Sequence, residues 1–215
     1  MNIVLLGPPG SGKGTQSELI SKKLRLFYLQ TGELSRLWAK KDPRIKKIVD
    51  SGKLISEEEM TEYVKVYLEK NVPDGKNILF EGFPRFISQF NEYEKWLKSK
   101  NQQIDAVIYL SLSEEGAIKR LSSRRICKKC GEVYNLITNP PENPDKCKCG
   151  GSLVQRKDDN DRSVKVRFRY YRNNTKKLID YLDKKGRLIS VDADRPVDTI
   201  FKDILKRLGV NDGYR

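Results

Sequence analysis

The chain begins with an apolar run, Asn2-Ile-Val-Leu-Leu6, that stops at Gly7-Pro-Pro-Gly-Ser-Gly-Lys-Gly-Thr15. A helical pattern starts just after Lys13. This order of strand, glycine-rich turn and helix constrains the fold more than any other part of the sequence. Gly7, Gly10, Gly12 and Gly14 carry no Cβ, so the backbone can curl its N–H groups around an anion. The following helix adds the positive end of its dipole. Lys13 adds a mobile point charge for the outer phosphates. With Gly7 and the Gly12-Lys13 pair at this spacing, the segment reads as a phosphate-binding loop rather than an ordinary turn, and its implied ligand is a nucleoside triphosphate.

Short apolar segments then alternate with helical periods. Thr15 to Leu24 reads as a helix and Leu26 to Leu29 as a short strand, with Gln30-Thr-Gly-Glu33 as punctuation before a helix through Trp38. Asp42-Pro43 opens a helix that ends near Ser51-Gly52. Ser56, with Glu59 three residues on, has the pattern of a capping box for a helix to about Lys70. Asn77 to Glu81 is a strand that leads into Gly82-Phe-Pro-Arg85, and Phe86 to Lys100 a helix. Asp105 to Ser111 is a strand, followed by a Ser-capped helix from Ser113 to Arg124. After the cysteine-bearing segment Cys127 to Leu153, Asp161 to Lys185 reads as one long amphipathic helix. Leu188 to Val191 is the last strand and Pro196 to Leu208 the last helix. Such alternation predicts an α/β fold, a mostly parallel sheet covered on both faces. Ligands then sit beyond the carboxyl ends of the strands. Gly7, Thr31, Gly82 and Arg85 each follow a strand end and are expected to meet there.

A length of 215 residues suits one domain with small appendages. Lys and Arg number 43 against 29 Asp and Glu, for a formal charge of +14, which points to a polyanionic partner. Pairs such as Lys40-Lys41, Lys46-Lys47 and Lys184-Lys185 read as solvated helix faces. There is no histidine, so histidine general-base chemistry is excluded. Phosphoryl transfer does not require it. No apolar run approaches the ~20 residues of a membrane span. The N-terminus enters the first strand directly, with no signal peptide in view, so a cytoplasmic protein is expected.

Cys127-Lys-Lys-Cys130 and Cys147-Lys-Cys149 form two close pairs with sixteen residues between them. In a reducing compartment such pairs read as a structural Zn2+ site, held by all four thiolates or by three and a carboxylate. Disulfides or free thiols are the other reading. A closed site folds a lobe that has no core of its own. The chain's charge and these pairs also fit a nucleic-acid-binding ATPase with a zinc ribbon. That reading needs aromatics interleaved with the basic residues, and between Cys127 and Leu153 only Tyr134 is available.

Arginines stand at marked places: Arg36, Arg85, Arg120, Arg124, Arg125, Arg156 and Arg167. Guanidinium groups bind phosphate oxygens bidentately, and so many around one loop suggest more phosphate than a single triphosphate brings. The segments GPPGSGKGTQ, TGELSR, SGKLIS, EGFPRFISQ, RRICKKC followed by GEVY, and QRKDDN with VRFRYY come in order along the chain. In these the chain resembles the adenylate kinases of the long-lid bacterial type with a zinc-binding lid.

The resemblance implies a P-loop nucleoside monophosphate kinase fold, a five-stranded parallel sheet flanked by helices. Residues 1–30, 61–124 and 162–215 would form the core, 31–60 an AMP-binding flap and 125–161 the zinc lid. It implies ATP + AMP giving two ADP, in a monomer that uses Mg2+ with ATP and a structural Zn2+ on Cys127, Cys130, Cys147 and Cys149. No nucleic acid or membrane partner is expected. Gly10, Ser11, Gly12, Lys13, Gly14 and Thr15 would hold ATP phosphates, with Arg124, Val133, Tyr134 and the backbone near Arg195 on the rest of that nucleotide. Thr31, Arg36, Lys53, Leu54, Ile55, Gly82, Phe83, Pro84, Arg85 and Gln89 would hold AMP, with Gln89 at its base. Arg120, Arg156 and Arg167 would close on the phosphates, Arg156 and Arg167 also touching AMP. Lys13, Arg85, Arg120, Arg124, Arg156 and Arg167 would be the catalytic cations. A kinase for UMP, CMP or GMP is the nearest rival, against which Thr31 and Gln89 favour adenine. Three positions depart from the family pattern: Glu33 and Glu81 replace Asp, and the second cysteine pair is shortened. In the family the carboxylate at the Glu81 position is thought to orient water on Mg2+.

Overall fold

A computed structural model of the chain describes residues 1–51 and 53–210, with Lys157 described through its backbone alone. Gly52, read above as a helix end, and the last five residues of the expected core lie outside these. In chain order the elements are β1 (Ile3–Leu6), α1 (Lys13–Leu24), β2 (Phe27–Gln30), α2 (Thr31–Ala39), α3 (Pro43–Asp50) and α4 (Glu57–Asn71). Then come β3 (Ile78–Glu81), α5 (Ile87–Ser99), β4 (Ala106–Ser111), α6 (Glu114–Ser122), β5 (Arg124–Cys127), β6 (Val133–Asn135) and β7 (Leu153–Val154). The chain ends through α7 (Asp161–Tyr170), α8 (Lys176–Lys184), β8 (Ile189–Asp192) and α9 (Val197–Arg207).

Five strands form one sheet in the order β2-β3-β1-β4-β8, every pair parallel. All four residues of β1 are buried because helices cover both faces. Side chains alternate across the pleat. Val4 and Leu6 pack with Phe80, Phe90 and Leu178 on one face. Ile3 and Leu5 pack with Ile20 and Ile204 on the other. The expected α/β architecture therefore forms. A second, antiparallel sheet in the order β6-β5-β7 holds the cysteine-bearing segment.

Several local expectations change. α1 starts at Lys13, two residues early, because Gly12 takes a left-handed conformation (φ 85°) at its N-cap. β2 runs into α2 at Thr31 without punctuation. At α4 only half of the capping box forms. Ser56 Oγ accepts from the Glu59 N–H at 3.2 Å, but the Glu59 carboxylate takes Arg44 (2.5 Å) and the Tyr63 hydroxyl (2.5 Å) instead. α6 ends at Ser122, and Arg124 pairs with Asn135 as the first residue of β5. The helix read as continuous to Lys185 is split by a wide π turn at Tyr171–Thr175. That turn carries the Tyr171 hydroxyl 3.3 Å from Tyr109 and Arg172 2.8 Å from Glu114.

Candidate active site

The glycine-rich loop leaves β1 and turns into α1. At Gly10 φ is +84°, and a Cβ there would stand 2.5 Å from the Ala117 carbonyl oxygen, so the loop lies flat against α6. The first N–H groups of a helix have no intrahelical acceptor and suit an anion. Lys13 folds back and donates to the carbonyls of Gly7 (2.9 Å) and Pro8 (2.8 Å). The Ser11 hydroxyl is buried and has no hydrogen-bond partner among the described residues. Burial brings the Lys13 ammonium down to about 7; Glu81 opposes this, and Arg85, Arg167 and Arg124 push it further down.

Beside the loop a cleft opens at the carboxyl ends of β2 and β3. Of the predicted residues, Thr31, Lys53, Leu54, Ile55, Gly82, Arg85 and Gln89 line it. Gly82 has φ +82°, and a Cβ there would meet the Thr31 hydroxyl at 2.7 Å and the Arg85 guanidinium at 3.2 Å. That close approach explains why glycine stands between them. Arg85 Nε donates to the Gly82 carbonyl at 2.7 Å. Gln89 is buried and already engaged: its Oε1 accepts from the Arg85 N–H (2.9 Å) and its Nε2 donates to the Glu57 carbonyl (3.2 Å). Phe83 and Pro84 are buried beneath the cleft rather than lining it, Phe83 packing 5.7 Å from the Phe80 ring. Ser35, Val49, Met60 and Phe86 complete the wall. Ser35 and Phe86 lie within the TGELSR and EGFPRFISQ segments but are assigned no contact there, and Val49 and Met60 belong to no motif, so only the fold brings these four to the cleft.

A cationic cluster faces both. Arg124 makes a two-pronged ion pair with the fully buried carboxylate of Asp159 through its Nε (2.7 Å) and a second guanidinium nitrogen. Arg167 reaches Asp159 at 3.0 Å and Asp158 at 3.4 Å, and Arg156 stands 3.8 Å from Asp158. Burial lowers Arg85 to about 10 against the pull of Glu81, with Arg167 adding to the fall. Arg156 also falls to about 10, through burial and then repulsion from Arg124 and Arg36. Burial and then Arg124 lower Arg167. These groups are close enough to depress one another, which is the electrostatics of a site built for more negative charge than two aspartates supply.

Arg120 sits on α6 and pairs with Asp194 at 3.3 Å, which brings it beside the segment of Arg195. The Arg195 guanidinium itself is tied to Asp203 at 2.7 Å. Arg36 reaches the Gln30 side chain at 3.5 Å. Val133 is exposed, whereas Tyr134 is buried in the small sheet with its hydroxyl 3.4 Å from Cys147 Sγ.

The four cysteine sulfurs converge within 4.8 Å of one another and form no disulfide. Cys127 and Cys149 are 3.5 Å apart, Cys130 and Cys147 3.5 Å, Cys130 and Cys149 3.3 Å. A disulfide would need ~2.0 Å. Four thiolates at ~2.3 Å from one Zn2+ stand about 3.8 Å apart, so the donor set and its spacing fit such an ion. All four cysteines are in place, and no carboxylate is needed to complete the set.

The family model described as Adenylate kinase matches residues 5–187. The chain belongs to the adenylate kinase family. It is 41% identical over 210 residues to the adenylate kinase of Archaeoglobus fulgidus, covering 95% of this chain and 96% of that protein. To that of Bacillus licheniformis it is 37% identical over 217 residues, 99% of this chain and 100% of the relative. To that of Caldanaerobacter subterraneus it is 38% identical over 213 residues, 97% and 96% of the two. As a member of the adenylate kinase family the chain is a nucleoside monophosphate kinase, a transferase that moves phosphoryl groups between nucleotides. The five-stranded parallel sheet is consistent with the family's P-loop fold. Among the described residues no helix is long and apolar enough to cross a membrane.

Two aspartates to which the sequence assigns no role, Asp158 and Asp159, join the candidate site through ion pairs with Arg124, Arg156 and Arg167. In the sequence they were part of a charged QRKDDN stretch; only the fold shows that they anchor three arginines.

Proposed function

We propose that this family member transfers the γ-phosphoryl of ATP reversibly to AMP, giving two ADP. One observation carries the reading. A cleft lined by Thr31, Gly82, Arg85 and Gln89 opens beside a phosphate loop whose Lys13 feels Arg85, Arg124 and Arg167. A single nucleotide needs only the loop; the second cleft with its own half-buried arginine calls for a second phosphate.

In this reading the residues Gly10 to Thr15 hold the ATP phosphates and Arg85 with Arg36 holds the AMP phosphate. Lys13 gives up its loop carbonyls and bridges donor and transferred group. An oxygen of the AMP phosphate bonds to the γ-phosphorus while the bond to the β-phosphate oxygen breaks, and the electron pair leaves on ADP. The attacking oxygen is already an anion, so no general base is required, in keeping with a chain free of histidine. The work of the cations is to bring two anions into line and neutralise the charge that spreads over the equatorial oxygens. Arg120, Arg124, Arg156 and Arg167 close over them and exclude water, which would otherwise compete as acceptor.

The Glu81 carboxylate, which acts on Lys13, and the hydroxyls of Ser11 and of Thr15 in the first turn of α1 are hard oxygen donors that would hold Mg2+ through water. Mg2+ would supply charge neutralisation on the phosphates. Zn2+ on the four cysteines would fix the small sheet and leave no open position for chemistry. Residues 31–60 and 125–161 act as flap and lid on the core, in a cytoplasmic monomer. Gln89 reads the adenine edge by releasing the Glu57 carbonyl.

A panel of acceptors tests this. With ATP and Mg2+, AMP is expected to support ADP formation at least tenfold faster than UMP, CMP or GMP. Equal or faster transfer to another monophosphate contradicts the assignment.

A further inference from the structure

This inference rests on the reading of Glu81 above and concerns what aims its carboxylate. β2 and β3 pair in parallel, with Tyr28 opposite Leu79 and Gln30 opposite Glu81. Tyr28 and Gln30 are two apart on β2 and so project to the same face, where Tyr28 is the diagonal neighbour of Glu81. Its hydroxyl donates to Glu81 Oε2 at 3.0 Å. The same hydroxyl accepts from Gln30 Nε2 at 3.0 Å. Gln30 in turn accepts from Arg36 on α2 at 3.5 Å. The Tyr28 ring packs with the buried cluster of Ile3, Leu5 and Ile20. Ring and hydroxyl therefore do different jobs: the core fixes the ring, and the ring fixes where the hydroxyl stands.

We propose that Tyr28 is a positioning residue, whose hydroxyl holds the Glu81 carboxylate in the orientation that serves the nucleotide-bound divalent cation. The Glu81 side chain is one methylene longer than an aspartate and has one more rotatable bond. A longer carboxylate needs a partner to select one rotamer, and Tyr28 supplies it. An aspartate at this position would draw its oxygens back by about a carbon–carbon bond, out of hydrogen-bond reach of the phenol. Burial and the Glu81 charge raise the Tyr28 phenol far above its ordinary value, so it remains a donor throughout the working range. Glu81 also acts on Lys13 and Arg85, so its aim bears on both sides of the transfer.

The test pairs Tyr28→Phe with Glu81→Asp. Phe keeps the ring in the core, so the fold is preserved. Calorimetric titration with ADP, without and with Mg2+, separates cation positioning from nucleotide binding. For Tyr28→Phe, Mg2+-free ADP affinity is expected within about twofold of wild type, while the gain on adding Mg2+ shrinks about tenfold, the scale seen when a partner behind a ligand is removed. kcat falls by a similar factor with the KM for AMP unchanged. In a Glu81→Asp background Tyr28→Phe adds no further loss. An undiminished Mg2+ gain in Tyr28→Phe overturns the proposal, as does an equal loss of Mg2+-free affinity, which is the mark of a structural role. Wild-type protein that forms ADP only with AMP, together with an unaltered Tyr28→Phe, removes this proposal alone. Wild-type protein without AMP-dependent transfer removes the functional reading and this proposal together.

Discussion

The five-stranded sheet and the three-stranded sheet are held by different forces. In the large sheet all four residues of β1 are buried, and Phe80 and Phe90 are fully enclosed by helices on one face. In the small sheet the buried cluster is Cys127, Tyr134 and Cys147, with Leu153 packed against it. The first is a product of burial, the second of four sulfurs at ligand spacing and of ion pairs such as Arg124 with Asp159. The difference matters for a kinase. The glycine-rich loop and the candidate cleft stand at the carboxyl ends of the large sheet's strands, the part held by burial. Of the clustered arginines, Arg124 stands on β5 of the small sheet and Arg156 just after β7, a part whose order is expected to be conditional on a metal, whereas Arg120 and Arg167 stand on α6 and α7.

The largest expected effect is at the rigid part. Lys13→Met should lower kcat about 10^3-fold with the thermal transition unchanged, as for a lost charge-stabilising donor. A loss below tenfold, read from initial rates, would move the phosphate contact elsewhere.

Truncation sharpens the contrast between the sheets. Phe80→Ala should cost about 3–5 kcal/mol in denaturant unfolding. Leu153→Ala, in the metal-loaded protein, should cost under about 1 kcal/mol, because there is little core for it to vacate. Equal costs would show that the small sheet has a hydrophobic core after all.

Metal removal probes the conditional part directly. A strong chelator should release one Zn2+ per chain and raise amide exchange across residues 125–154, while β1, β3 and β4 keep their protection. Loss of protection in both sheets together would mean that they fold as one unit.

The smallest effect is a proton. Lys13 titrates at about 7 in the free protein, chiefly through burial. At pH 8 it is therefore mostly neutral. A bound polyphosphate favours the ammonium form and raises its pKa, so binding at pH 8 should take up close to one proton. The same depression penalises the free fold below pH 7, a penalty that fades as pH rises from 7 toward the ordinary lysine value. ATP titrations in buffers of different ionisation enthalpy measure the uptake, and Lys13→Met should abolish it. Uptake unchanged in that variant would assign the proton to another group.

The large sheet was legible because its strands are short apolar runs and its loop needs glycine at fixed places. Those are local rules, and Gly10 and Gly82 obey them where backbone or side chains come within 3 Å. The cysteine cluster was legible from spacing alone. What stayed hidden depends on which distant residues the fold brings together. Asp158 and Asp159 carry no role in the sequence until α7 and β5 bring Arg167 and Arg124 to them. Glu59 read as a cap until α3 offered Arg44. Tyr28 and Glu81 meet only because β2 and β3 pair in one register.

Phosphoryl transfer between two nucleotides held by these two parts is most directly tested by stoichiometry. Phosphorus NMR of a reaction started with ATP, Mg2+ and limiting AMP follows every phosphate at once, with zinc content measured on the same sample. The account predicts two ADP formed for each AMP consumed, no inorganic phosphate, and no ADP when AMP is left out. Steady release of inorganic phosphate from ATP without AMP would contradict it.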